Sequence, residues 1–125
     1  VRFHKPRRTI TFECWAYSAD VTQPGTQMDT WPVTVTQLDN YARAPAAFLP
    51  TLKISGAKNP VVQVYEERSG ELVYALRVNG DTFRPHVFAP GAYTVKVGDQ
   101  DAGRMKTLPG LAARTDQTET LTITV

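Results

Sequence analysis

The chain has 125 residues, of which 42% are hydrophobic and 21% charged, a size and composition typical of one globular domain with a single core. Fourteen basic and twelve acidic residues leave a formal charge of +2, too small to predict nucleic-acid binding. A single cysteine, Cys14, excludes an internal disulfide, and no apolar run is long enough for a membrane span.

The chain opens on a basic segment followed by an alternating one. Because clustered cations at a terminus are usually solvated, residues 1–8 are expected to form a flexible leading segment instead of a phosphate site. Residues 9–17 alternate strictly, which predicts a strand. One face of this strand carries Ile10, Phe12, Cys14 and Ala16, and the other carries Thr9, Thr11, Glu13, Trp15 and Tyr17.

A second strand is predicted over residues 31–38, after a loop at 18–30 that is rich in Gly, Pro, Asp and Thr. Residues 39–50 have the composition of a helix, but Pro45 interrupts them, so a short turn or connection is expected. Beyond this point the pattern is that of short strands. Two-residue turns are indicated at Ser69-Gly70 and Asn79-Gly80, and strands are predicted over 51–54, 60–66, 71–78, 82–86, 92–97 and 118–125.

The clearest turn is at Pro90-Gly91, where proline presets one backbone angle and glycine accepts the positive φ that follows. The strand after it places Tyr93 inward, and its hydroxyl is expected to hold down a neighbouring connection, as in a tyrosine corner. By contrast, residues 98–116 are polar and carry several glycines, which predicts a crossover or a functional loop.

Together, these short strands predict an all-β fold: an antiparallel immunoglobulin-like or prealbumin-like β-sandwich of seven to nine strands, as one domain over residues 1–125. Its core is expected to combine the apolar faces Ile10/Phe12, Val33/Val35, Leu72/Tyr74/Leu76, Tyr93/Val95/Val97 and Leu121/Ile123/Val125.

Two segments resemble known families. The second half, with VYEERSGELVY at 64–74 and FRPHVFAPGAY at 83–93, resembles the prealbumin-like or carboxypeptidase-regulatory-like sandwiches of secreted bacterial proteins. The first part, with FHKPRRTITFECW at 3–15, WPV at 31–33 and DNY at 39–41, resembles the region that follows the catalytic core of PhoD-like phosphatases in the metallophosphoesterase superfamily.

The second resemblance implies the C-terminal accessory sandwich of an exported phosphatase, periplasmic or extracellular, whose partner is the catalytic domain of the same parent chain. The start at Val1 without a Met fits a piece of a longer protein. The metal-binding motifs of that superfamily, Gly-Asp-x-His and Gly-Asn-His-Glu, do not occur in this sequence. No catalytic or metal-binding residue is therefore carried over, and no enzyme activity is expected of this piece.

The polar residues give little support for catalysis. His4 and His86 have no ligating residue two or four positions away, and no serine lies in a Gly-x-Ser-x-Gly turn, so no catalytic or cofactor-binding residue is predicted. Asp99 and Asp101 are weak candidates for a calcium site, but the further ligands of an EF-hand loop are missing. A small enzyme is thus the least favoured function, after the accessory domain and the carbohydrate-binding module considered next.

Four aromatic residues form the candidate contact surface, namely Trp15, Tyr17, Trp31 and Tyr41. Three interpretations of them are open: they fill the end of the core, they dock the domain onto a catalytic neighbour, or they stack on sugar rings. The function predicted from sequence is a non-catalytic accessory domain, and the alternative is a carbohydrate-binding module.

Overall fold

The fold is all-β in the computed structural model, which describes residues 1–37 and 42–125. These residues contain twelve strands and no helix, and therefore no helix that could cross a membrane. Seven of their eight strand pairings are antiparallel. The predicted all-β class is confirmed and is consistent with a β-sandwich, while the immunoglobulin-like or prealbumin-like type stays a prediction.

The strand count exceeds the predicted seven to nine because several strands are only two or three residues long. The chain also divides into two compact units, residues 1–42 and residues 43–125. Each unit is described by itself below, and the single sandwich over 1–125 stays a prediction.

The N-terminal unit contains a three-stranded antiparallel sheet in the order β1-β2-β3, formed by Arg2–His4, Thr9–Phe12 and Val33–Thr36. Strand β1 lies within residues 1–8, the segment that is expected from sequence to be flexible, and there Phe3 pairs with Ile10. The basic residues of this segment suggested a solvated terminus, but most of them lie in the turn that joins β1 to β2 and not in β1 itself. Strand β2 ends at Phe12, earlier than predicted, and only an isolated bridge between Trp15 and Gln27 follows it.

The second unit contains the other nine strands. They are β4 (Ala47–Phe48), β5 (Thr51–Ser55), β6 (Val61–Glu66), β7 (Leu72–Arg77), β8 (Thr82–Phe83), β9 (His86–Val87), β10 (Ala92–Asp99), β11 (Arg104–Ala112) and β12 (Thr120–Thr124). They form a four-stranded sheet in the order β11-β10-β6-β7, a three-stranded sheet in the order β12-β5-β8, and the pair β4-β9. The pairing of β12 with β5 is the parallel one.

The hydrophobic core of the second unit follows the alternation of its strands. Tyr93, Val95 and Val97 are all buried on β10, as predicted, and on β12 Ile123 is buried between exposed threonines. The other large contributors come from the opposing strands and from the connections between them, namely Leu49, Leu52, Ile54, Val62, Val64, Tyr74, Leu76 and Val87.

Three residues assigned to the core by their sequence pattern are exposed: Phe12, Val33 and Leu72 are 40%, 43% and 44% exposed. Four more are half-buried, namely Ile10, Val35, Leu121 and Val125. For Leu72 the cause is a β-bulge. Tyr65 pairs with Leu72 while Val64 pairs with Tyr74, so one extra residue turns Leu72 away from the inner face. Phe12 and Val33 belong to the N-terminal sheet, which is treated below.

The predicted loop over 98–116 is wrong for most of its length, because β11 occupies residues 104–112 and pairs with β10 along its whole course. Two features hid this strand. It lies at the edge of its sheet, where polar side chains are common, and a register shift opposite Thr94 accommodates Pro109 and Gly110.

Glu67 holds this irregular stretch in place. The Thr94 hydroxyl and the Gly110 amide each donate a hydrogen bond of 2.7 Å to Glu67 Oε1. These two bonds, the hydroxyl first, lower the pKa of the Glu67 carboxyl from its ordinary value, since both stabilise the ionised form.

A lowered pKa in the folded state makes Glu67 stabilising above the ordinary pKa of glutamic acid, about 4.3, and this stabilisation is lost as the pH falls through the folded-state pKa. We therefore expect Glu67→Gln to flatten the decline of the urea midpoint between about pH 6 and about pH 3. Glu119→Gln, which removes an exposed carboxylate before β12, serves as the control. Parallel pH curves for wild type and Glu67→Gln would contradict this role.

Candidate functional site

The predicted contact aromatics differ in exposure. Tyr17 is fully exposed, Trp31 is exposed just before β3, and Trp15 is half-buried. Tyr41 lies outside the described residues. The three described residues all belong to the N-terminal unit, in the segment that connects β2 to β3, and this directs attention to the sheet beside them.

One face of this sheet is entirely apolar. Phe3 lies opposite Ile10, Ile10 opposite Val35, and Phe12 opposite Val33. Because directly opposed residues project to the same side of a sheet, their side chains share one surface. We call this surface the apolar face; it consists of Phe3, Ile10, Phe12, Val33 and Val35. Phe3 is the most accessible of the five, at 77% exposure.

The other face of the sheet is polar. It carries threonines from β2 and β3, and the hydroxyls of Thr11 and Thr34 share a hydrogen bond of 2.8 Å across the strands. Arg2 Nε lies 2.9 Å from the Glu13 carboxylate at the end of this face. The sheet is therefore two-sided. Its threonine surface is mostly half-buried, and on its apolar face Phe3, Phe12 and Val33 are exposed while Ile10 and Val35 are half-buried.

The distribution of hydrophobic side chains separates the two units sharply. Among the described residues, eight of the nine exposed large hydrophobic residues lie within residues 1–33, and Leu72 is the ninth. The buried hydrophobic residues all lie between Ala47 and Ile123. In its described part, the N-terminal unit thus has exposed apolar surface and no buried hydrophobic core of its own.

A basic turn borders the apolar face. Residues 1–12 contain four basic residues and no acidic residue, and Lys5 and Arg7 in the turn between β1 and β2 are exposed. The turn is ordered by backbone contacts, since the Arg8 amide donates to the Lys5 carbonyl and the Arg8 carbonyl accepts from the Gln37 amide.

The second unit has a cleft of about 180 Å³ near the turn that precedes β10. In this cleft the Arg43 guanidinium lies 4.0 Å from the centre of the Phe88 ring, and the Tyr93 hydroxyl donates a 2.8 Å hydrogen bond to the Ala89 carbonyl. Burial, reinforced by the charge of Glu66, raises the pKa of the Tyr93 hydroxyl, so it stays protonated at neutral pH. The lining residues are Arg43, Glu66, Glu71, Val73, Phe88, Ala89 and Tyr93.

The Tyr93 hydroxyl therefore has a structural role, because its hydrogen bond is made to a backbone carbonyl. The hydroxyl spans the turn that contains Pro90 and Gly91, both exposed, and thereby ties residue 89 to the start of β10. Gly91 has a positive φ of 151° in this turn. The cleft presents no nucleophile paired with a general base, which is the arrangement that hydrolysis requires.

Asp99 and Asp101, the weak candidates for a calcium site, contact different partners. Asp99 accepts from the Ala102 amide at 3.1 Å and lies 3.4 Å from Arg104, whereas Asp101 pairs with Arg77 at 3.0 Å. In residues 1–37 and 42–125, no three His, Cys, Asp or Glu side chains come together as a metal site would require. His86 stacks on Tyr74 with 5.2 Å between ring centres.

In comparisons with known proteins, no family model, no curated protein and no solved structure matches the chain.

Proposed function

We propose that this chain is a non-catalytic accessory domain of an exported bacterial protein and that it docks onto a partner protein domain through the apolar face. The observation that carries the proposal is the exposure of Phe3, Phe12 and Val33 on that face, in a unit whose described residues include no buried hydrophobic core. Contiguous exposed apolar surface marks interaction sites, because monomeric soluble proteins otherwise keep such surface small.

The energetics favour a covered face. Fully burying one exposed large aliphatic or aromatic side chain contributes about 1.5–3 kcal/mol, and the exposed parts of Phe3, Phe12 and Val33 offer a partner a share of this driving force. A three-stranded sheet also needs a packed apolar face for independent stability. Both arguments favour an interaction surface, and neither requires a catalytic group on the apolar face.

The candidate partner is a PhoD-like phosphatase core. The residues that resemble this family, from position 3 to position 41, lie in the same unit as the apolar face. The isolated chain should therefore show only background phosphatase activity, and metal-dependent turnover that survives repurification would contradict the proposal.

The direct test titrates the chain into a separately purified PhoD-like catalytic core and measures binding by calorimetry. We expect the double variant Phe3→Ser, Phe12→Ser to weaken binding at least about tenfold, because each loses about a kcal/mol or more of apolar contact. Leu72→Ser is the matched control, since Leu72 is 44% exposed but lies in the second unit. Equal affinity of the double variant and the wild type would contradict docking through this face.

A carbohydrate-binding module is the second candidate, and the full exposure of Tyr17 favours it. Its test is the fluorescence of Trp15 and Trp31 during titration with soluble polysaccharides, after iodide quenching has measured the exposure of both indoles. A saturable shift that disappears in Tyr17→Ala would favour the sugar platform over protein docking. Indoles that are accessible to iodide but do not respond to polysaccharides would favour docking.

A further inference from the structure

The outer side of the β4-β9 pair carries a row of aromatic rings. Ala47 and Val87 of this pair are buried, whereas Phe48 and His86 lie opposite each other and are half-buried. Directly opposed side chains project to the same side of a sheet, so the rings of Phe48 and His86 share the side that faces away from the core. The half-buried Phe88 extends this row, because its ring meets the His86 ring edge-on at 5.4 Å between centres.

Arginine side chains lie over both ends of this row. The guanidinium carbon of Arg84 lies 4.0 Å from the centre of the Phe48 ring, and that of Arg43 lies 4.0 Å from the centre of the Phe88 ring. Arg114 is bridged to Phe48 through two backbone hydrogen bonds, so its side chain projects to the same side. All three arginines are exposed. We call this surface the arginine strip; it consists of Arg43, Phe48, Arg84, His86, Phe88 and Arg114.

The guanidinium groups of the strip retain hydrogen-bond donors for a ligand. In the part of the chain that the structure describes, no ion pair involves Arg43, Arg84 or Arg114. Arg84 donates one hydrogen bond, of 2.9 Å, to the Gln117 carbonyl, and a guanidinium has five N–H donors. Because a guanidinium that lies flat on a ring is already held in place, it loses little further side-chain entropy when it binds an anion.

We propose that the arginine strip binds an acidic polysaccharide whose carboxylates pair with the guanidinium groups. The planar guanidinium matches the two oxygens of a carboxylate, and it binds them more specifically than a lysine ammonium does. Several such groups along one surface suit a ligand that repeats its anionic group. The proposal goes beyond docking through the apolar face, because the strip lies wholly within residues 43–125.

The cleft beside Arg43 favours a sugar over other polyanions. Glu66 and Glu71 line this cleft together with Arg43 and Phe88. Carboxylates accept hydrogen bonds from the hydroxyls of a sugar ring, but they repel the phosphates of a nucleic acid and the carboxylates of an acidic peptide. A uronate sugar carries hydroxyls and a carboxylate on the same ring, so it suits the acidic cleft and the arginines together.

Calorimetry of the full chain with polygalacturonate and with alginate tests the proposal. We expect saturable binding to at least one of these two polyuronates, weakening as salt increases, and no binding to neutral dextran. The strip variant, Arg43→Gln with Arg84→Gln and Arg114→Gln, should bind at least about tenfold more weakly. Absence of binding to both polyuronates, or equal affinity of the strip variant and the wild type, would overturn the proposal.

A matched variant controls for net charge. Lys53→Gln with Lys58→Gln and Arg68→Gln removes the same charge from exposed positions of the same unit, and it should bind like the wild type. Equal weakening in this variant and the strip variant would show a diffuse charge effect and overturn the site.

Replacing the three arginines of the strip by lysine keeps the charge of the surface and removes the planar guanidinium groups. We expect this lysine variant to keep the urea midpoint of the wild type and to bind polyuronate more weakly. It also tests the site if the strip variant fails to fold. Undiminished binding in the lysine variant would show that charge alone is recognised, against the proposal.

Other sites and ligands give different results. Binding that is lost in Lys5→Gln with Arg7→Gln would place the polyuronate at the N-terminal basic turn, and binding that is lost in Tyr17→Ala would place it on the aromatic residues; either result would overturn the strip. Equal affinity for poly-L-glutamate or single-stranded DNA would overturn a sugar ligand. The docking proposal is tested separately, because Phe3→Ser with Phe12→Ser should leave polyuronate binding unchanged.

Discussion

Replacing Leu52 by alanine is expected to lower the free energy of unfolding of residues 43–125 by about 3 kcal/mol. Leu52 is 0% exposed and lies on β5, between β12 and β8. The substitution removes buried apolar atoms and leaves a cavity that the parallel β12-β5 pair, fixed in register over five residues, cannot readily close. Urea unfolding followed by far-UV circular dichroism measures the loss.

Leu72→Ala is the matched control for this prediction. The side-chain change is identical, but Leu72 is turned outward by the bulge in β7 and is 44% exposed. We expect a loss below about 1 kcal/mol, because solvent and not a cavity replaces the missing atoms. Equal losses in the two variants would show that Leu52 does not lie in the core as described.

Gly98→Ala has the second large expected effect, a loss of about 3 kcal/mol or more. Gly98 lies on β10 and is paired with Met105 on one side and Val61 on the other. A β-carbon there would collide with the backbone carbonyl oxygen of Arg104 and would lie 2.8 Å from Cγ1 of Val125. The carbonyl belongs to a paired strand and cannot move aside without breaking the β10-β11 register.

Gly103→Ala separates this collision from ordinary backbone strain. Gly103 has a φ of 68°, a conformation that favours glycine, but a β-carbon there would meet no atom within 4 Å. The expected cost is about 1–2 kcal/mol from the left-handed backbone conformation alone. A loss for Gly98→Ala no larger than that for Gly103→Ala would contradict the close approach of β11 to β10.

These two experiments need a signal that reports the second unit. Tryptophan fluorescence is unsuitable, because Trp15 and Trp31 both lie in the N-terminal unit. Tyrosine absorbance is unsuitable as well, because Tyr17 and Tyr41 lie in residues 1–42. Hydrogen exchange of the amides of β5 and β10 reports the second unit by itself. The same separation allows one chain to report the two units independently.

Sequence periodicity predicted most of the second unit well. The alternation in β10 identified its buried side chains correctly, because each strand has one inner and one outer face. On β12 it identified Ile123, while Leu121 and Val125 are half-buried. It failed for β11, whose polar composition and internal Pro109-Gly110 shift resemble a loop. Periodicity also failed at Leu72. The bulge adds one residue to β7, so Leu72 projects to the face opposite to that of Tyr74, although the sequence alternation places both on one face.

The candidate site was only partly predictable. The aromatic residues at 15, 17 and 31 lie in the same unit as the apolar face, but the contact surface was expected on the side of Trp15 and Tyr17, with Ile10 and Phe12 in the core. The apolar face combines residues from three strands, two of which are far apart in sequence. Its exposed position follows from the absence of a covering layer among the described residues of its unit, a property that no single strand carries.

The sequence by itself determined that this chain is built of β-strands and which side chains share a face, because residue alternation and turn chemistry are local properties. Only the tertiary structure decided which faces are buried, that Arg2–His4 and Arg104–Ala112 are strands, and that the hydrophobic core belongs to residues 43–125. The reason is physical: burial depends on what lies across a face, and that is supplied by residues distant along the chain.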